Sequence, residues 1–374
     1  MTKNNINWRF LLDNLEAHKC ILCVGPDIYD QAGKPRFENQ LAAFLRSHET
    51  SLNIRVYDNG WFHFLPEHNP ESVWKKLAEF YKKPYEEADA IMEKLAGLPF
   101  EAVISFVPDY RLRNIFAAKR PYTQFKAFQK IGPCVAETPS VEKPLIFNML
   151  GHFQKGESLV LTYKDFYDYL KSVFAGHGIP ETLKEKINDA NHFIFLGLPF
   201  DKWYTHMFMS IINDSVNKTG NRSIHRVGAN PFLEQDDKDR ASEQYGLTIV
   251  EDNISDFVND LFERCKDENI LVEGTGQAAS PLSIFDVWRK SIKSGGSDEI
   301  TEVLDNMEDM PDLDKEDTNE VLLLRSRYRR FLKDKNHGKF ETTKAEYAVE
   351  NGIVDGILHL ISVLEKQTKK LKAV

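Results

Sequence analysis

Short, mainly apolar runs alternate with amphipathic stretches through the first 270 residues, and this rhythm limits the chain more than any other feature. The runs are Cys20 to Val24, Ala102 to Phe106, Pro144 to Asn148, His192 to Gly197 and Leu247 to Val250, each closed by glycine, proline or a polar residue. A run of four to six apolar residues is too short for a buried helix but suits a strand covered on both faces. The stretches between them, such as Ser72 to Tyr81, Lys164 to Phe174 and Ile254 to Cys265, repeat apolar residues at helical spacing. Strands alternating with helices predict an α/β domain over residues 1–270, a mainly parallel sheet with helices on both faces. A smaller inserted subdomain is expected at about 36–100, where Trp61 to Phe64 alternates like a strand.

The pattern changes after residue 270. Gly274, Gly276, Pro281, Gly295 and Gly296 punctuate residues 271–297, read as a linker around one helix at Ile284 to Ile292. Residues 298–374 hold no strand pattern. Ile300, Val303 and Leu304, then Val321, Leu322, Leu324, Tyr328, Phe331 and Leu332, then Val349, Ile353, Ile357, Leu360, Ile361 and Leu364 predict a small all-α domain of about three helices.

Basic residues number 48 and acidic ones 57, a net charge of −9, which argues against a broad nucleic-acid surface or an anionic-membrane anchor. The start MTKNNINWRF has no apolar signal core and no apolar run reaches membrane-spanning length, so a cytoplasmic protein is expected. Four cysteines cannot build a dense disulfide framework. Cys20 and Cys23 form a C-x-x-C pair inside an apolar run, and no second Cys/His pair stands at ligand spacing, so a buried strand is expected there and no metal. The acidic stretch Glu308 to Asp317 is read as a solvated loop.

In an open α/β sheet the turn after the first strand is the usual nucleotide site. Here that turn is a poor phosphate cradle. Pro26 lacks an N–H, and Asp27 and Asp30 place negative charge where a pyrophosphate would lie.

Leu22 to Pro35 resembles the first loop of sirtuin-like domains, V-G-A-G-x-S-x-x-A-G-x-P, with Val24, Gly25, Ala32, Gly33 and Pro35 coinciding. Pro26, Asp27 and Tyr29 depart from it. Val103 to Asp109 resembles V-I-S-T-N-Y-D with Val107 at the Asn position, and Ile146 to Gly151 resembles V-Y-K-L-H-G with Leu150 at the His position. Glu157 to Tyr167 is similar to the P-E-S-I-V-L-T-x-x-D-Y stretch of defence-type members, and Phe193 to Asp201 to their L-F-L-G-Y-S-x-x-D turn, which includes Gly197. The resemblance implies a Rossmann-type sheet and an NAD pocket lined by Gly25, Asp27, Tyr29, Gly33, Val107 and Gly197.

Sirtuin-type cleavage of the nicotinamide–ribose bond needs a histidine base and an Asn and an Asp near the ribose. Leucine takes no proton, and valine makes no side-chain hydrogen bond. This leaves two readings. In one, the chain is a scaffold or regulator without NAD chemistry and without a bound cofactor. In the other, it is an NAD hydrolase with a rearranged site in which His152 and Asp109 act. The bland reading makes His152 a solvent-facing loop residue, Asp109 a helix cap, His192 a strand start and His206 part of a helix face. A zinc-dependent deacylase fits less well, because no four-cysteine pattern is present.

Leu322 to Leu332, Gly338 to Phe340 and Glu346 to Leu364 resemble the effector-associated domains of bacterial conflict systems, small helical adaptors that pair with like domains. Arg329 replaces their usual Asn, and Phe340-Glu341-Thr342 their I-S turn. The resemblance implies a protein partner, with a homo-oligomer as one form. Arg325, Arg327, Arg329 and Arg330 form the candidate partner-binding cluster, opposite in charge to the acidic stretch. Solvated surfaces are the alternative.

Overall fold

A strand with no polar residue must be covered on both faces, and β1 (Cys20–Val24) is buried along its whole length. It lies at the middle of a seven-stranded sheet in the computed structural model. The structure describes residues 6–272 except 32, 58–61, 66–68, 129–133, 154–157, 175–176 and 218–223. It also describes 315–340, 342–371 and scattered positions between 285 and 307. Trp61, Gly274, Gly276, Pro281, Ile284, Gly295 and Gly296 lie outside the described residues.

The antiparallel pair β2 (Ile54–Val56) and β3 (Phe62–Phe64) stands apart from the main sheet. The main strands are β4 (Ala102–Ser105), β5 (Gln124–Ala127), β6 (Leu145–Asn148), β7 (His192–Leu196), β8 (His225–Ala229) and β9 (Leu247–Val250). All pair in parallel, in the order β5-β6-β4-β1-β7-β8-β9. Leu22 faces Val103 on one side and Ile194 on the other. Strands later than β1 add on the β4 side until the chain returns to β7, so strand order reverses between β1 and β7. That reversal opens a crevice at the carboxyl ends of the two strands.

Alternate residues feed two cores. Leu22, Val24, Val103, Ile194 and Val227 pack with the helices Trp8–Glu16, Glu86–Ala96 and Ile254–Asp267. Ile21, Cys23, Ile104, Phe147 and Phe195 pack with Glu181–Asp189 and Trp203–Asn217. Cys20 and Cys23 thus point to opposite faces and cannot share a ligand. Burial pushes both thiols well above their ordinary range, which leaves them inert.

β2 and β3 have a small core of their own, with Leu45, Leu52, Val73 and Leu77. Helix Glu86–Ala96 sends Ile91, Met92 and Leu95 into the main core, so the insertion ends before residue 100.

The chain divides into two compact units, Met1–Ala278 and Ala279–Val374. In the second, Val321, Leu324, Tyr328 and Phe331 of helix Lys315–Asn336 pack on Ile353, Ile357, Leu360 and Leu364 of helix Thr343–Leu371. Phe285, Trp288 and Ile292, from the stretch expected to be a linker, belong to this core. Residues Thr343–Gln367 form the one described helix long and apolar enough to cross a membrane. Its apolar side is the core just named.

Candidate functional site

The residue after β1 is Gly25 because there is room for nothing larger. A Cβ there would sit 2.2 Å from the Gly197 carbonyl oxygen, and one on Gly197, which is left-handed at φ +63°, would sit 2.5 Å from the Ile28 nitrogen. The turns after β1 and β7 therefore meet backbone to backbone. Gly25 N–H donates to the Leu196 carbonyl (2.8 Å), Asp27 N–H to Gly197 (3.0 Å), Ile28 N–H to Gly25 (3.3 Å) and Asp30 N–H to Asp27 (3.1 Å). Pro26 has none to give. A pyrophosphate in such a crevice is held by free amides of this turn; here those four are spent on protein carbonyls.

Asp27 is fully buried within the short helical turn Pro26–Tyr29. Its Oδ2 accepts from Arg36 Nη2 at 2.6 Å and from Asn230 Nδ2 at 2.7 Å, while Oδ1 meets no protein donor. Burial pushes the carboxyl up to about 7, against the pull of Arg36 and Asn230. Asp30 accepts from Phe37 N–H, holding the start of helix Phe37–Ser47, and lies 3.8 Å from Arg36 Nε. Gly33 forms the turn that brings Pro35 and Arg36 back over the crevice. Asn230, just past β8, also donates to the Leu198 carbonyl at 2.9 Å. The like charge expected from Asp27 and Asp30 is thus answered by this chain's own guanidinium.

Beside this network, Tyr29 is buried and donates to Asp109 Oδ2 at 2.7 Å. Asp109 Oδ1 accepts from Arg111 N–H at 3.1 Å at the head of helix Arg111–Lys119. Burial raises the Asp109 carboxyl, with Tyr29 and Arg111 opposing. Arg111 turns away to Asp89 at 2.8 Å, and Asn148 Nδ2 donates to the Asp109 carbonyl at 3.1 Å. Val107 is in the main core.

Leu150 packs beside the second core. His152, two residues on, is buried: its Nδ1 pairs with the Tyr110 hydroxyl, its ring stands edge-on to Phe125, and its backbone N–H donates to Ser158 Oγ at 3.0 Å. Asp109 and Tyr110 are neighbours in sequence but serve different partners, Tyr29 and His152. Among the described residues no group of three or more His, Cys, Asp or Glu is placed to hold a metal.

Residues 108–250 match the family described as SIR2-like domain, and residues 296–365 match Effector-associated domain 11. The chain carries a SIR2-like domain followed by an effector-associated domain. The SIR2-like match begins at Pro108 and so leaves out the turn after β1. A solved structure titled "Structural Basis for the Mechanism and Regulation of Sir2 Enzymes" is 13% identical, at a TM-score of 0.38 over 70% of this chain and 98% of that one. No curated protein matches the chain.

In the effector-associated domain the four arginines do not share one face. Arg327, Arg329 and Arg330 are exposed, whereas Arg325 is half-buried on the flank of helix Lys315–Asn336. Leu322 and Leu323, at 43% and 58% exposure, stand one to two turns before the exposed three, an apolar companion that the charge pattern concealed. Arg330 is 3.9 Å from Asp334. Of the acidic stretch, Glu316 is exposed and Asp317 buried, while Glu308, Asp309, Asp312 and Asp314 lie outside the described residues.

His192 opens β7 and His206 lies on helix Trp203–Asn217, bonded through Nδ1 to the Tyr245 hydroxyl at 2.7 Å. The residues that fill the crevice without having been marked by the sequence are Arg36, Asn230, Glu38 and Lys202. Glu38 and Lys202 pair at 2.9 Å across the turns after β1 and β7. Only Arg36, directly after the matched Pro35, carried a local signal.

Proposed function

We propose that the chain is a non-catalytic scaffold or regulator of a bacterial anti-phage or related conflict system, cytoplasmic, recruiting a protein partner through its effector-associated domain. The observation that carries this reading is the spent turn after β1: its amides bond to Leu196, Gly197, Gly25 and Asp27, and Asp27 is paired with Arg36. Leu150 at the base position and Val107 inside the core support it. The hydrolase alternative relies on His152 and Asp109, of which His152 Nδ1 is bonded to Tyr110 and the Asp109 carboxylate to Tyr29 and Arg111. Recruitment is supported by the exposed Leu322, Leu323, Arg327 and Arg329, since apolar and cationic groups side by side suit a partner with acidic and apolar ones. Self-association is one form it can take.

The purified full chain, incubated with NAD, is expected to release no nicotinamide above background. Turnover abolished by His152→Ala or Asp109→Ala would establish the hydrolase instead. For recruitment, a partner captured from the native host by the wild-type chain is expected to be lost from Leu323→Glu and Arg329→Glu. Equal capture by all three would remove this face from the interaction.

A further inference from the structure

The amino ends of the strands carry a groove of their own, at the opposite end of the sheet from the crevice. The chain enters β1, β4 and β6 by way of His18, Pro99 to Glu101 and Ser140 to Glu142, and Ile270 to Val272 follow helix Ile254–Asp267 back to the same end. These segments border a volume of about 470 Å³, within the span of about 300–1,000 Å³ usual for small-molecule sites. All of them belong to the sheet-bearing unit.

The walls are fixed by hydrogen bonds. Arg120 donates to the carbonyls of Leu98, of Phe100 at 2.7 Å and of Val141 at 3.4 Å, so one guanidinium joins the loop before β4 to the loop before β6. Val272 N–H donates to the Gly97 carbonyl at 3.0 Å, and Leu145 N–H to that of Glu101 at 2.8 Å. Lys143 N–H closes the turn before β6 onto Ser140 Oγ at 3.1 Å. A groove shaped in advance loses less freedom when a ligand enters.

Its floor is apolar: Pro99 is buried, and Val141, Ile270, Leu271 and Val272 are half-buried. Covering that surface favours a ligand with an apolar body. The rim is made chiefly of acceptors. Glu101, its side chain 12% exposed, pairs through Oε2 with Lys186, and Glu142 accepts through Oε2 from Ser140 Oγ at 3.2 Å. Among the described residues the second oxygen of each carboxylate meets no protein donor. His18, exposed and left-handed at φ 57°, completes the rim. A carboxylate only accepts, and the lysine and hydroxyl beside these two already donate to them, so further donors have to come from the ligand.

We propose that this groove binds a small organic ammonium with an apolar body, whose hydrocarbon part covers Val141 and Ile270 to Val272 while its N–H groups reach Glu101 and Glu142. Charge selects it. An anion would meet two carboxylates, and a neutral molecule of the same shape would forgo the charge-assisted bonds. The groove shares no residue with the crevice, so NAD turnover, present or absent, leaves the proposal untouched.

The test titrates 2-phenylethylamine into the full chain, followed by ligand-observed NMR, beside two molecules of similar shape: neutral 2-phenylethanol and anionic 3-phenylpropanoate. The amine is expected to saturate with a Kd of about 10 mM or tighter, the reach of so small a ligand. The other two should bind at least about fivefold more weakly. Glu101→Gln should weaken the amine about tenfold, because that carboxylate is little exposed, and Glu142→Gln about threefold, because that one is at the surface. All three probes bound alike, an amine indifferent to both substitutions, or no saturation by about 50 mM overturns the proposal. If Glu101→Gln, which weakens the tie to Lys186, does not fold, indifference to Glu142→Gln alone does the same.

Discussion

Replacing Arg120 by methionine is expected to destabilise the sheet-bearing unit by about 3 kcal/mol or more. Arg120 comes directly after helix Arg111–Lys119 and is buried, with its guanidinium over the Phe116 ring and, among the described residues, no carboxylate paired with it. It donates instead to carbonyls: Ala96 at 2.8 and 3.2 Å, Phe100 at 2.7 Å, Val141 at 3.4 Å, and Leu98. These include the last carbonyl of helix Glu86–Ala96, where the helix dipole is negative and a cation is favoured. Burial still lowers the guanidinium to about 10, so the site tolerates the charge only through those acceptors. Methionine fills much of the space and satisfies none of the carbonyls, each of which then bears a desolvation penalty of about 1 kcal/mol or more. Lysine keeps the charge but lacks the planar fork, so Arg120→Lys should recover only part of the loss. Urea unfolding of the three proteins measures this. A loss below about 1 kcal/mol for the methionine variant would mean the carbonyls find other donors.

Arg120 anchors the approach to β4, one of the strands that composition alone makes legible. Those at the centre of the sheet, Cys20–Val24, Ala102–Ser105 and His192–Leu196, are almost wholly apolar and fully buried. β5, Gln-Phe-Lys-Ala at the sheet edge, is only half-buried, and β8 begins with His225 and Arg226. Neither has the composition of a covered strand, and only pairing with a neighbour makes them one. At the site, the loss of a phosphate cradle could be read from Pro26 and Asp27, because that chemistry is local. Its replacement could not: Asn230 is 203 residues from Asp27, and Tyr110 is 42 from His152. In the effector-associated domain the apolar series read from the sequence takes in Leu322 and Val349 with Val321, Leu324, Tyr328 and Phe331, but the structure leaves Leu322 and Val349 exposed, as it does Leu323. Their exposure comes from phase, whereas a count of apolar residues would have buried them.

Two buried groups at opposite ends of the sheet should oppose one another in the pH dependence of stability, so that removing either changes the slope of the wild type in opposite directions. His192 begins β7 in register with Cys20 and His225; its ring lies 6.0 Å from Phe10 and 6.1 Å from His225, and neither nitrogen meets a protein partner. Burial, helped by His225, lowers it to about 3. A lowered histidine contributes its stability in full above the unfolded value, near pH 6.5, and loses it as pH falls toward about 3. Asp27 runs the other way. Raised to about 7, it contributes in full below the unfolded value, near pH 4, and loses that contribution as pH climbs through about 7. Each slope approaches about 1.4 kcal/mol per pH unit inside its window, and the windows overlap between about pH 4 and about pH 6.5. There the two oppose each other. Asp27→Asn should therefore expose the histidine slope and lose stability steadily on acidification. His192→Phe, an aromatic replacement beside Phe10, should expose the aspartate slope and become more stable as pH falls toward about 4. Urea midpoints of the sheet-bearing unit at four pH values across that window read both slopes. Parallel profiles for wild type and both variants would show that neither group titrates inside the fold as its burial dictates.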